Sequence, residues 1–130
     1  MQKILIIDDE PALRQTLGAI LKRSGYNPVL AGTGQEGLKK LEGDSFSLIF
    51  LDIKLPDVMG VDLLPKISQI DPDLPVIILT AHATLDAAIQ AVRGGARDFL
   101  LKPIDPKTII ERVGQILEEN KEPQRQREII

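Results

Sequence analysis

The sequence predicts an α/β domain in which five parallel strands alternate with five helices that cover both faces of the sheet. Two observations predict this class. Short apolar runs lack the alternation of a half-exposed strand, and continuous apolar character is typical of parallel strands buried between helices. Each run is followed by apolar residues at helical spacing, and repeated β–α units favour right-handed crossovers. We therefore expect a doubly wound sheet with strand order 2-1-3-4-5.

The predicted strands differ in how apolar they are. Four runs are continuously apolar and are expected to be buried on both faces; they span residues 4–7, 48–51, 76–79 and 99–101. The segment 27–31 is more polar, which is typical of an edge strand. We therefore expect segment 27–31 at an edge of the sheet.

The helices are predicted from apolar residues that recur at intervals of three and four. In chain order these residues are Leu13, Leu17, Ile20 and Leu21; Leu38 and Leu41; Val61, Leu64, Ile67 and Ile70; Leu85, Ala88, Ile89 and Val92; and Ile109, Ile110, Val113, Ile116 and Leu117. Pro65 conflicts with the third helix, because a proline inside a helix removes a hydrogen bond and clashes one turn back. We expect that helix to start late or to be distorted at its start.

The composition excludes several classes of site. The 130 residues suit one domain, which we expect over residues 2–120, with a charged linker or tail over 121–130. The absence of cysteine excludes disulfides and thiolate metal sites, and His82 is the single histidine. The net charge of −3 does not suit a phosphate-backbone binder. No apolar run approaches the roughly 18 residues of a membrane span, so we expect a cytoplasmic protein without a membrane partner.

Polar residues follow the carboxyl ends of four predicted strands. In open α/β sheets, ligands bind beyond these ends, where the strand order reverses. Each residue alone has an ordinary explanation as a helix cap, a turn or a surface lysine. Three carboxylates held together repel one another, however, unless a cation lies among them. The residues are Asp8, Asp9, Asp52, Thr80, Ala81 and Lys102.

This set of residues favours magnesium-assisted phosphoryl chemistry. Mg²⁺ prefers carboxylates, waters and phosphate oxygens, and an aspartate can act as a covalent nucleophile. Phosphoryl transfer requires positioning and neutralisation of charge on the phosphoryl oxygens. Each of the three phosphoryl oxygens could then have a partner: the metal for one, Lys102 for the second, and the Thr80 hydroxyl with the Ala81 amide for the third. Asp52 is the expected acceptor, and the backbone carbonyl of Lys54 could complete the metal site.

These residues together resemble the receiver domain of two-component response regulators, over about residues 2–120. The resemblance implies a flavodoxin-like fold and transfer of a phosphoryl group from a sensor histidine kinase to an aspartate. The motifs that carry it are Asp8-Asp9-Glu10, Asp52 with Leu55-Pro56-Asp57 and Gly60, Thr80-Ala81, and Phe99 three residues before Lys102-Pro103.

The resemblance implies a role for each matched residue. Asp52 would accept the phosphoryl group, with Lys102 and Thr80 contacting it and Phe99 acting as the switch aromatic. The Lys102–Pro103 peptide bond would be cis. The resemblance also implies that Lys54 and His82, two residues after the acceptor and the threonine, tune dephosphorylation. The ligands of Mg²⁺ would be Asp8, Asp9, Asp52 and the Lys54 carbonyl.

Segments 80–88 and 102–105 look most like the receivers of NtrC-type activators, which carry an ATPase and a DNA-binding domain after the receiver. The resemblance thus implies control of transcription, with DNA contacted only indirectly through domains absent from this chain. It also allows a homodimer through the fourth helix, fifth strand and fifth helix. Residues that could supply that face are Ala87, Ala91, Arg93, Arg97, Asp98 and Glu111.

Three alternatives remain at this point. A Mg²⁺-dependent phosphatase of the haloacid-dehalogenase kind would need an aspartate two residues after Asp52, where this chain has Lys54. The second alternative is an interaction domain that binds a partner without phosphorylation, but no residue of the expected phosphorylation site is missing from this sequence. The segment 32–37 matches the dinucleotide fingerprint G-x-G-x-x-G, but it follows an edge strand, away from the point where the strand order reverses.

Overall fold

A computed structural model describes the backbone of residues 1–82 and 84–129, and side chains as far as residue 119. Five strands form one parallel sheet in the order β2-β1-β3-β4-β5, which confirms the predicted topology. The strands are β1 (Lys3–Ile7), β2 (Asn27–Ala31), β3 (Leu48–Leu51), β4 (Val76–Thr80) and β5 (Asp98–Leu101).

Helices connect the strands and cover both faces of the sheet. They are α1 (Pro11–Arg23), α2 (Gly34–Gly43), α3 (Leu64–Ile70), α4 (Leu85–Arg93) and α5 (Pro106–Ile129). A 3₁₀ turn over Gly60–Leu63 precedes α3, so Pro65 falls in the first turn of the helix, where a missing N–H costs nothing. The predicted late start of the third helix is therefore confirmed. Within the described residues, no helix is both long and apolar enough to cross a bilayer.

The sheet separates two hydrophobic cores. Alternate side chains of β3 point to opposite faces, so Ile49 and Leu51 belong to the core beneath α2 and α3, whereas Leu48 and Phe50 belong to the core beneath α1 and α5. All residues of β3 and β4 are buried. The central strands are thus anchored on both sides, and this anchoring fixes the positions of the residues that follow them.

The structure contradicts the predicted burial of β5 and excludes one candidate residue of the dimer face. β5 is an edge strand and only partly buried, because β4 is its sole neighbour in the sheet order. In α4, the small side chain of Ala91 is fully buried, whereas Leu85 is 79% exposed and Val92 is 71% exposed. The large apolar residues of α4 therefore face solvent, and Ala91 is excluded from any surface that a partner could touch.

Candidate functional site

Three carboxylates converge where the strand order reverses. Asp8 follows β1 and Asp52 follows β3. These strands are neighbours because the connection from β2 to β3 passes over β1, which lies between β2 and β3 in the sheet. One carboxylate oxygen from each of Asp8, Asp9 and Asp52 lies within 4.8 Å of the others. Asp8 and Asp52 are buried, at 2% and 5% exposed, whereas Asp9 is open to solvent. The predicted cluster therefore exists and has one solvent-facing side.

Lys102 supplies the cation of the site. Its Nζ lies 2.8 Å from Asp8 Oδ2, 3.2 Å from Asp52 Oδ2 and 3.4 Å from Glu10 Oε2. The peptide bond to Pro103 is cis, as the resemblance implies. The backbone N–H of Lys102 donates to the Thr80 carbonyl at 2.9 Å, which ties the end of β5 to the end of β4.

Burial and charge act in opposite directions on the two best-connected groups. Burial raises the pKa of Asp8, and the charge of the neighbouring Asp52 raises this pKa further. Hydrogen bonds from Lys102 and from the Glu10 N–H lower the pKa of Asp8, but its net shift is upward. Burial lowers the pKa of Lys102, but the hydrogen bonds and charges of Asp8 and Asp52 outweigh it, so the net shift is upward. Lys102 is therefore a permanent cation beside the two buried carboxylates.

Asp52 carries an atom whose bonding is incomplete. Its Oδ1 is buried and has no hydrogen-bond partner among the residues that the structure describes, whereas Oδ2 accepts from Lys102. A buried carboxylate oxygen without a donor costs free energy, so such atoms in folded proteins call for an explanation. A cation or a phosphoryl group at Oδ1 would supply one. One carboxylate oxygen of Asp52, together with one each from Asp8 and Asp9, also fits the preference of Mg²⁺ for carboxylate ligands.

The Thr80 hydroxyl lies at the end of β4 and is fully buried. Its Oγ1 accepts a hydrogen bond from the His82 N–H at 3.1 Å, which leaves the hydroxyl hydrogen free to point elsewhere. Ala81 and His82 line an open cleft of about 270 Å³ together with Asp9, Asp52 and Lys102; its other lining residues are Glu10, Lys54, Leu55 and Pro56. This side of the cleft is therefore also formed by strand-end residues.

Phe99 lies on β5, directly opposite Ile78 of β4, and its ring is half-buried. It packs against the core beneath α2 and α3. Phe99 therefore lies on the strand next to the one that ends in Thr80.

Backbone hydrogen bonds join the two ends of the loop that follows Asp52. The Leu55 N–H donates to the Val58 carbonyl at 3.2 Å, and the Gly60 N–H donates to the Ile53 carbonyl at 2.5 Å. A Cβ at Gly60 would overlap the backbone oxygen of Asp52, so only glycine fits there. Lys54, which belongs to this loop, lines the same cleft as Asp9 and Asp52.

Sequence reasoning missed two side chains. The sequence marks Glu10 only as part of the acidic motif, but its carboxylate accepts a hydrogen bond from Lys102. The sequence marks Asp57 only as part of Leu55-Pro56-Asp57, but its carboxylate accepts hydrogen bonds from the start of α2. The motifs marked both positions, although nothing in their local spacing identified the partners.

The fold and the site define a class of protein. Residues 4–114 match the response regulator receiver domain family, and the chain belongs to this family. It is 41% identical over 116 residues to the response regulator protein PilR of Pseudomonas aeruginosa, a match that covers 89% of this chain and 26% of PilR. The chain spans about a quarter of the length of the curated relatives it matches.

Solved receivers have the same architecture. A CheY-like receiver domain protein from Methanospirillum hungatei superposes with a TM-score of 0.92 at 34% identity, over 95% of this chain and 98% of that one. The beryllofluoride-activated receiver domain dimer of NtrC4 gives a TM-score of 0.88 at 36% identity, over 92% and 99%. The predicted family and its NtrC-type subgroup are thus confirmed.

Proposed function

We propose that Asp52 accepts a phosphoryl group from a sensor histidine kinase, and that the modified aspartate switches the domain to an active state. The observation that carries this proposal is Asp52 Oδ1, a buried oxygen without a partner, beside a lysine that neutralises the other oxygen of the same carboxylate. The free oxygen would attack phosphorus as the bond to the kinase's histidine nitrogen breaks. The nitrogen keeps that bond's electron pair, and because the ring of the phosphohistidine is protonated at its other nitrogen, the histidine leaves as neutral imidazole.

Magnesium is the cofactor that we propose for this transfer. Asp8, Asp9, Asp52 and the Lys54 backbone carbonyl would hold it, since the three carboxylates already lie together and the Lys54 loop borders the same cleft. When bound, the ion neutralises negative charge on the phosphoryl oxygens. Lys102, the Thr80 hydroxyl and the Ala81 N–H would contact the remaining oxygens.

The response to phosphorylation is proposed to pass through Thr80 and Phe99. The Thr80 hydroxyl hydrogen is free to turn toward a new acceptor on Asp52, because the hydroxyl oxygen is already bound by the His82 N–H. Movement of Thr80 would open space toward the half-buried Phe99 ring on the neighbouring strand. Such a coupled shift converts a local charge into a changed surface at α4 and β5. Lys54 and His82, which both line the cleft, would set how long the phosphoryl group survives.

The changed surface is proposed to mediate homodimerisation. Leu85, Ile89 and Val92 of α4 and Leu101 of β5 are large apolar residues that are at least 40% exposed. Leu85, Ile89 and Val92 are spaced four and three residues apart on α4, so they lie on one side of the helix, and a group of exposed apolar side chains is typical of an interaction site. The solved NtrC4 receiver is a dimer in its beryllofluoride-activated form. Four predicted residues, Arg93, Arg97, Asp98 and Glu111, remain candidates for the polar rim.

The domain is proposed to act as a regulatory element that assists only its own phosphorylation and dephosphorylation and does not catalyse a reaction of another substrate. Several relatives are transcriptional regulatory proteins about four times as long as this match. We propose that residues 2–120 form the receiver, that residues 121–130 begin a connection to an output domain, and that DNA is contacted only through that domain. The proposed setting is the cytoplasm, where ATP-dependent kinases supply the phosphoryl group.

Beryllofluoride, which mimics a phosphoryl group on a carboxylate, tests the proposed acceptor. With Mg²⁺ present, we expect saturable binding by calorimetry, together with amide shift changes at Thr80, Phe99 and α4 in NMR spectra. Asp52→Asn should abolish both effects. The exposed Asp73→Asn is a matched control and should leave them intact. Equal binding to the Asp52→Asn variant would contradict the proposal.

A further inference from the structure

The start of α2 is held by a side chain from the loop that follows Asp52. Asp57 Oδ1 accepts from the Gly34 N–H and Oδ2 from the Gln35 N–H, both at 2.9 Å, although these residues precede Asp57 by 23 and 22 positions. Thr33 Oγ1 accepts from the Glu36 N–H at 3.1 Å. The first N–H groups of a helix have no partner within it, and the helix dipole favours an anion there. Accordingly, these bonds lower the pKa of the Asp57 carboxyl.

This contact also explains the glycine-rich segment 32–37. The first helical N–H groups, to which a dinucleotide phosphate binds in the fingerprint, are occupied here by the protein's own carboxylate. A Cβ at Gly34 would overlap the Val58 side chain, and one at Gly37 would lie 2.5 Å from Ile7 Cδ1. The glycines therefore let α2 approach the sheet and the loop closely.

The loop that Asp57 belongs to carries the backbone of Lys54. Its internal bonds close it into a small unit between residues 53 and 60, with Lys54 and Met59 paired across it. Those bonds fix the shape of the loop, and the buried side chains of Ile53 and Leu55 hold its apolar side in the core beneath α2 and α3. The two bonds to α2 add a further fixed point, because α2 itself packs on β1 and β2.

We propose that Asp57 is a positioning residue that holds the Lys54 carbonyl in place for Mg²⁺ by anchoring the loop to α2. This inference rests on the proposed function and assigns a task to a residue that lies outside the acidic cluster. Asp57 would not touch the metal or the phosphoryl group. Its loss would let the loop move, so that one of the proposed metal ligands is no longer pre-organised.

Calorimetric titration with Mg²⁺ tests the proposal on the whole chain. We expect Asp57→Ala to raise the Kd for Mg²⁺ about tenfold, the lower end of what is typical for residues that orient metal ligands. The rate of labelling by acetyl phosphate should fall at low Mg²⁺ and return to within about twofold of wild type at saturating Mg²⁺. Because Mg²⁺ would also stabilise a merely weakened fold by linkage, the comparison of Kd values with matched variants, and not the rescue alone, separates positioning from a general structural defect.

Two matched variants separate positioning from charge and from helix stability. Asp62→Ala removes an equal charge from the nearby 3₁₀ turn, and Thr33→Ala removes the other cap of α2 without touching the loop. Both should bind Mg²⁺ like wild type. A Kd for Asp57→Ala within twofold of wild type, or an equal loss in either control, would overturn the proposal. If wild type is not labelled at Asp52, the proposed function fails, while the Mg²⁺ comparison still decides the role of Asp57.

Discussion

Replacing Lys102 with methionine removes the ammonium group between two buried carboxylates and keeps most of the side-chain volume. The ammonium lies 2.8 Å from Asp8 and 3.2 Å from Asp52, whose side chains are 3% and 6% exposed. Removing one partner of a buried ion pair costs roughly 3–5 kcal/mol, because the remaining charge is left uncompensated. We expect about 3 kcal/mol, the lower end of that range, since the cleft opens to solvent at Asp9.

Magnesium should reverse part of this loss. In wild type the ammonium competes with the metal for the same oxygens, so the variant should bind Mg²⁺ about tenfold more tightly. By linkage, a tenfold difference in affinity restores about 1.4 kcal/mol at saturating metal. The expected destabilisation is therefore about 3 kcal/mol in chelator and about 1.6 kcal/mol in Mg²⁺.

Urea unfolding followed by far-UV circular dichroism, with EDTA or with Mg²⁺, measures both values. Lys3→Met, which breaks the exposed Lys3–Asp44 pair, is the matched control. Its free energy of unfolding should differ from that of wild type by the same small amount in EDTA and in Mg²⁺. A loss below about 1 kcal/mol in EDTA, or the same loss with and without Mg²⁺, would refute the reasoning that Lys102 and the metal share the carboxylates.

Three further perturbations have defined outcomes. Gly60→Ala should lower the free energy of unfolding by about 3 kcal/mol or more in urea titrations, because the new Cβ overlaps the Asp52 backbone; an unchanged midpoint would show that the loop yields easily. Val92→Glu should leave the melting temperature within a few degrees and abolish beryllofluoride-dependent dimers in sedimentation, since Val92 is 71% exposed; persistence of the dimer would exclude α4 from the interface. Asp57→Asn should be less stable than wild type at pH 7, and this deficit should shrink as the pH falls below about 4. The lowered pKa of Asp57 means that its contribution is present above the unfolded value and disappears as the carboxylate is protonated; a deficit independent of pH would contradict that sign.

The features that follow from topology were predictable from the sequence. Continuous apolar runs predicted buried parallel strands, and the strand order then brought the residues after β1 and β3 to one place. Asp8, Asp9 and Asp52 met there because the carboxyl ends of parallel strands share one edge of the sheet. The mutual repulsion of these carboxylates predicts a cation among them from the sequence alone.

The features that depend on side-chain packing were not predictable. Periodicity located α4 but could not tell that Ala91 would face the sheet and Val92 the solvent, since a helix with small residues on one side can approach the sheet closely. The contact from Asp57 to Gly34 joins residues that are distant in sequence, and no local pattern encodes it. The unpartnered oxygen of Asp52 depends on the orientation of one carboxylate among its neighbours.

Covalent labelling locates the acceptor most directly. The chain is incubated with acetyl phosphate and Mg²⁺, the acyl phosphate is trapped by borohydride reduction, and the modified residue is found by peptide mass spectrometry. A single modification at Asp52, lost in EDTA and in Asp52→Asn, is the predicted result. Modification at Asp8 or Asp9 instead, or no modification at any aspartate, would contradict the account.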